Sequence, residues 1–227
     1  TIDRMKAFNK SVVDFAKENN QIVPFLAVDQ EGGLVDRLKV LNTPLLSQKR
    51  IAETKTVSQA YEIYKSQALF MKDLGFNMNF APVMEVCTKE NEDFLLGRSF
   101  GSLENVLKFG KSCVNAYEMN NIAAVVKHFP GNTNTDPHTG LPEILLDKES
   151  LFGSILPFKE IVSENPTGIL MSHARTSAID SQMPSCLSHT WVTKILREEF
   201  NYKGIIFSDD IFMGALANNG FPPDKAV

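Results

Sequence analysis

Two short stretches carry residue types that could share one reaction. "GIIFSDD" (204–210) ends an apolar run in Asp209 and Asp210, and "NTNTDPHTGLP" (132–142) holds Asp136 and His138 two residues apart. Cleavage of a glycosidic bond asks for one group that stabilises or traps an oxocarbenium-like carbon and another that protonates the leaving oxygen. Asp209 suits the first task if it stays ionised beside a substrate, which a cation such as Lys127 close by would favour. His138 suits the second: imidazole titrates near neutrality and can give and retrieve a proton, while Asp136 would fix its tautomer and steady its cation. Pro137 biases the backbone between them toward extended geometry, which would turn both side chains the same way. Each stretch also has a plainer reading. Ser208 and the aspartates can cap a following helix, a role that fits Asp210 best, and DPH can form an Asx-type turn with an exposed histidine.

Other polar residues end apolar runs in the same manner. "NIAAVVKHFPG" (121–131) passes into Lys127 and His128, "IVPFLAVDQEGG" (22–33) into Asp29, and "TGILMSHAR" (167–175) into Ser172 and His173. With those runs as strands, the polar ends gather at one rim. Lys127 and His128 are then expected at the mouth of a pocket and not in the core, where both are costly to bury. His128, His138 and His173, with Asp136 or Asp209, are metal-ligand types, yet the sequence has no HxH, HExxH or Cys–His spacing, so no metal is expected. Neither GxGxxG nor GxxxxGK[ST] is present, and no cofactor is expected.

Five helix-then-strand units must position this rim. Ile2, Met5, Phe8, Val12 and Phe15 recur at steps of three and four, which predicts an amphipathic helix ahead of the strand that ends at Val28. Helical patterns within 56–75, 103–120, 147–165 and 188–202 precede apolar strands within 76–86, 122–131, 167–175 and 203–213. Such alternation indicates parallel strands joined by helical crossovers, hence an α/β domain. Composition agrees: 43% hydrophobic and 22% charged residues suit one globular domain over 1–227. A net charge of −4 with scattered Lys and Arg argues against nucleic acid or an anionic membrane as partner. Cys87, Cys113 and Cys186 are far apart and read as core residues, and no apolar run reaches the length of a membrane span.

Seven stretches, in order, resemble glycoside hydrolase family 3 and within it the NagZ-type bacterial β-N-acetylglucosaminidases. They are "VDQEGGLVDRL" (28–38), "NFAPVMEV" (79–86), "GRSFG" (97–101), "KHFPG" (127–131), "DPHTGLP" (136–142), "MSHARTSAIDSQMPSCLS" (171–188) and "ILREEFNYKGIIFSDDIFM" (195–213). The resemblance implies a TIM-like (β/α)8 barrel and a retaining mechanism through a covalent glycosyl-enzyme intermediate. Asp209 matches the nucleophile, and Asp136 with His138 the acid/base dyad. Asp29, Arg37, Arg98, Lys127 and His128 match positions that hold the terminal sugar. The implied partner is a small N-acetylglucosamine-terminated carbohydrate, such as a peptidoglycan-derived fragment, acted on by a monomer. Compartment stays open between the cytoplasm, which is favoured, and an exported lipoprotein. A (β/α)8 barrel takes about 250 residues; no strand precedes the first helix and no last helix-strand pair follows, so the barrel is expected to be incomplete at both ends. Leu34, Glu85 and Phe212 depart from the family's pattern, and 132–135 is shorter than usual. A β-glucosidase-like hydrolase, a glycoside phosphorylase and a sugar-binding barrel without turnover stand as alternatives.

Overall fold

The computed structural model describes residues 1–226. Helix α1 (Ile2–Glu18) starts at Thr1, whose hydroxyl accepts from the Arg4 amide. It leads into strand β1 (Ala27–Val28), then β2 (Gln30–Gly32) and β3 (Val35–Asp36), which pair antiparallel as a small hairpin. Gly32 sits at φ +94° with the Leu46 carbonyl only 2.2 Å from where a Cβ would stand, so this turn admits no side chain. Helices α2 (Gln48–Thr54) and α3 (Val57–Asp73) follow, the latter opened by a reciprocal Thr56–Gln59 capping box. Then come β4 (Met78–Asn79), α4 (Glu92–Leu95), α5 (Leu103–Glu118), β5 (Ala123–Phe129) and β6 (Glu143–Ile144). The segment read as one helix over 147–165 is instead α6 (Lys148–Ser154), α7 (Leu156–Ile161) and a 3-10 turn. Pro157 accounts for the break, since its ring fits the first turn of a helix and not an interior. The chain continues through β7 (Gly168–Met171), β8 (Arg175–Thr176), a wide helix over Thr190–Glu199, β9 (Ile205–Ser208), α8 (Gly214–Ala217) and α9 (Pro223–Ala226).

Strands β1, β4, β5, β7 and β9 form one parallel sheet in chain order, each joined to the next by helical segments. Side chains alternate across it with period two. Val28, Ala124, Val126, Ile169, Met171 and Ile206 face the helices and join the main core, where Trp191, Tyr64 and Phe158 are fully enclosed. Ala27, Met78, Val125, Leu170 and Phe207 face the other way and form a separate small apolar cluster. The sheet curls around that second cluster. The Phe207 ring, on the last strand, meets Phe80 at 5.7 Å and Phe25, just before the first strand, at 6.3 Å, both edge-on. Among the described residues β1 and β9 do not pair, so the architecture is a five-stranded, barrel-like curl and not a closed eight-stranded barrel. The strand expected to end at Val28 keeps ladder pairing only over Ala27–Val28.

Candidate active site

The carboxyl ends of the sheet strands open on a cavity of ≈ 430 Å³. Asp29, Arg37, Arg98, Lys127, His128, His138 and Asp209, all expected at the site, line it, and Asp136 is not in the lining but directly precedes Pro137 and His138, which are. The floor is Phe80 and Leu170, the top of the apolar cluster inside the curl. A larger cavity of ≈ 830 Å³ lies along residues 130–135, with Glu85 in its wall, and holds none of the eight. The smaller cavity is the one that gathers the residues expected at the site.

Lys127 and His128 are not at the mouth of the pocket, as the sequence suggested; they are 3% and 5% exposed. What makes the burial tolerable is the set of carboxylates around them. Lys127 Nζ lies 2.6 Å from Asp29 Oδ1 and 2.7 Å from Glu31 Oε1. It pairs with those two, which leaves one of its three protons, and has no ion pair with Asp209. Arg98 grips the same Glu31 with two prongs, Nε to Oε2 at 2.8 Å and Nη2 to Oε1 at 2.9 Å, while its guanidinium sits over the Phe94 ring. Glu31 is fully enclosed; burial would push its carboxyl up, but Lys127 and Arg98 outweigh that and hold it at about 2.

Successive residues reach the same pocket because the β5–β7 register slips between Lys127 and Phe129. A regular pleat would send His128 to the helix side. The irregularity brings both side chains to the pocket wall and returns Phe129 to the core, edge-on to Phe158 at 5.3 Å and Trp191 at 5.2 Å. His128 then has a defined tautomer. Arginine can only donate, so the Arg98 Nη2 contact at 3.3 Å makes His128 Nε2 the acceptor, and Nδ1 carries the proton toward Glu85 Oε1 at 2.6 Å. The other Glu85 oxygen accepts the Asn132 amide at 2.6 Å, tying this acid to the loop that leads to Asp136.

Asp136 and His138 do pair: Asp136 Oδ1 is 2.7 Å from His138 Nδ1 and also accepts the His138 amide at 2.9 Å. The backbone is not extended. It is an Asx turn, closed by the His138 amide on the Asp136 carboxylate and followed by the Thr139 and Gly140 amides donating to the Asp136 carbonyl, so the plainer sequence reading describes the backbone while the side chains still couple. The His138 amide and ring hold the Asp136 carboxyl below its usual range, and both side chains are exposed. Among the described residues, imidazole Nε2 has no hydrogen-bond partner.

Asp209 is half-buried at the end of β9; its amide donates to the Met171 carbonyl at 3.1 Å and its Oδ1 accepts the Asp210 amide at 2.8 Å. Asp210 does not cap a helix as expected. Its carboxylate accepts the Phe212 amide at 2.9 Å in a turn, and Met213 is the residue preceding α8. His173 is buried and turned away from any metal-like cluster: Nε2 donates to the Asp210 carbonyl at 3.0 Å, and Nδ1 lies 3.1 Å from Cys186 Sγ. Burial lowers the His173 pKa and raises the Cys186 thiol to about 12, which fits a neutral ring accepting from S–H. Among the described residues no group of three or more His, Cys, Asp or Glu side chains is arranged to hold a metal, and no helix is long and apolar enough to cross a membrane.

Sequence reasoning did not include Glu31, although it stands two residues after Asp29 beyond the same strand. Glu85 was visible only as a departure from a pattern. Phe94 and Met213, which complete the lining, carry no sequence signal that separates them from core residues.

The family profile described as glycosyl hydrolase family 3 N terminal domain matches residues 2–227. "Beta-hexosaminidase A" of Pseudoalteromonas piscicida is 30% identical over 93% of this chain and 39% of its own length. "Beta-hexosaminidase" of Methylococcus capsulatus is 34% identical over 86% of this chain and 60% of its own length. The solved glycoside hydrolase family 3 beta-N-acetylglucosaminidase from Paenibacillus superposes with a TM-score of 0.91 at 27% identity, covering 97% of this chain and 43% of that one. The chain thus spans 39–60% of the length of these relatives. With the profile covering nearly every residue and the fold superposing over almost its whole length, the chain belongs to glycosyl hydrolase family 3.

Proposed function

We propose that the protein is a retaining exo-β-N-acetylglucosaminidase that removes terminal N-acetylglucosamine from peptidoglycan-derived fragments or related glycans. The observation that carries this reading is one cavity lined by a carboxylate with no ion-pair partner among the described residues, Asp209, and by an imidazole, His138, whose Nδ1 is already engaged by Asp136. The beta-hexosaminidase names of the relatives support the sugar class.

In the first step Asp209 forms a bond to the anomeric carbon as the bond to the leaving oxygen breaks. His138 Nε2 supplies the proton that oxygen takes. Asp136 keeps the ring in the tautomer that has its second proton on Nδ1 and stabilises the doubly protonated form before transfer. In the second step His138 accepts a proton from water as water displaces Asp209, which returns both groups to their starting states. Asp29 accepts from ring hydroxyls, and Arg37, Arg98 and Lys127 donate to hydroxyl or N-acetyl oxygens. Arg37 is exposed on the cavity wall and has no ion-pair partner among the described residues, which leaves its donors free for a ligand. The Arg98–Glu31–Lys127 cluster supplies rigidity, since each cation is fixed before sugar arrives.

The test is nitrophenol release from the β-N-acetylglucosaminide, with the β-glucoside as control and Asp209→Ala alongside. Release from the first substrate alone, abolished by the substitution, is expected. Equal activity of Asp209→Ala refutes the nucleophile assignment, preference for the glucoside refutes the sugar, and dependence on added phosphate with sugar 1-phosphate as product reassigns the reaction to phosphorolysis.

A further inference from the structure

The turn that carries Asp136 and His138 is seated on the segment that follows Asp209. The amides of Gly214 and Ala215, at the start of α8, donate to the carbonyls of His138 (3.2 Å) and Pro137 (2.9 Å). That seat requires a bare backbone. A Cβ on Gly214 would stand 2.5 Å from the His138 carbonyl oxygen and 3.2 Å from its carbon, and 2.9 Å from Asn218 Nδ2. Asn218 Nδ2 is the end of a flexible side chain and can turn aside. The His138 carbonyl is backbone and can only move by taking the turn with it.

We propose that Gly214 is a positioning residue for His138: its missing side chain lets the stretch after the nucleophile fix the height of the acid/base imidazole over the cavity. This rests on the reading of His138 as the proton donor. The consequence is geometric. The two partners of the reaction sit on different strands' loops, β5 for the dyad and β9 for Asp209, and nothing in β5 itself sets their separation. The two backbone bonds do so directly, because Asp209 and Gly214 lie five residues apart on one short connection whose own Met213 amide is tied to the Asp210 carbonyl at 3.0 Å. Relieving a 2.5 Å approach to ordinary contact displaces the turn by about 1 Å, a misplacement that can cost about 10²-fold in rate.

The experiment compares Gly214→Ala with the unaltered protein on aryl β-N-acetylglucosaminides of increasing leaving-group basicity, from dinitrophenyl to phenyl, reading kcat/KM for each and the thermal midpoint for folding. The expected result is little change on dinitrophenyl, whose leaving group needs no proton, and a loss growing to about 10²-fold on phenyl, with KM changing less than kcat. A loss of equal size across the series, or none, overturns the proposal. Gly214→Ala with Asn218→Ala removes the second clash and keeps the first. Persistence of the graded loss in that double variant supports the proposal, and full recovery overturns it by placing the effect inside α8. His138→Ala is run in parallel: absence of a graded loss there would refute the acid/base reading itself, whereas a graded loss there without one in Gly214→Ala refutes only the role of Gly214.

Discussion

Replacing Glu31 by glutamine tests whether the buried charge cluster holds the site together. The carboxyl is held at about 2 against an ordinary value of 4.5. At about 1.36 kcal/mol per pH unit, that is about 3 kcal/mol of folding free energy at pH 7. No allowance for solvent is needed, because the side chain is 0% exposed. The folded-state pKa is depressed, so the contribution is complete above the unfolded value and is lost as pH falls from about 5 toward 2; at pH 3 about 1 kcal/mol of it is left. Glutamine keeps the shape but leaves Lys127 and Arg98 around a neutral amide, which for a broken buried pair costs about 3–5 kcal/mol. Urea unfolding of the two proteins at pH 7 and pH 3 is the assay. Glu31→Gln should be less stable by about 3 kcal/mol at pH 7, a fall in midpoint temperature of roughly 6–12 °C for a chain this size, and the gap should shrink by more than half at pH 3. A gap under about 1 kcal/mol at pH 7, or one of equal size at both pH values, would refute the argument.

Three further outcomes follow from the same geometry. Asp136→Asn should lower kcat/KM about 10²-fold on basic leaving groups, because an amide can turn its N–H toward Nδ1 and select the wrong tautomer; an unchanged rate would show that the 2.7 Å pairing has no part in turnover. Thr176→Val should cost about 1–3 kcal/mol in chemical denaturation, since the fully buried Trp191 Nε1–H, which donates to Thr176 Oγ1 at 2.7 Å, would lose its partner. Alkylation by iodoacetamide at pH 8, followed by mass spectrometry, should modify exposed Cys87 first and spare Cys113 and Cys186 until the protein is unfolded, because burial pushes both of those thiols up; early modification of Cys186 would contradict its contact with His173.

What the sequence by itself determined is periodic or local. Apolar steps of three and four placed α1, α3 and α5, and the alternation of helices with short apolar runs dictated parallel strands in chain order. Because parallel strands all point one way, polar residues ending those runs had to gather at one edge, and Asp29, Lys127, His128 and Asp209 do line one cavity. The motif resemblance added Arg37 and Arg98, which no periodicity marks. Tertiary structure alone decided the rest, since those features depend on partners far apart in the chain. Lys127 is buried only because Asp29 and Glu31, about a hundred residues earlier, are brought to its ammonium by the β1–β4–β5 order. His128 reaches the pocket only because the ladder against β7 slips by one place, an irregularity with no sequence period to announce it. Likewise the need for glycine at 214 is invisible locally: its backbone is ordinary, and what forbids a side chain is the His138 carbonyl, delivered from another loop.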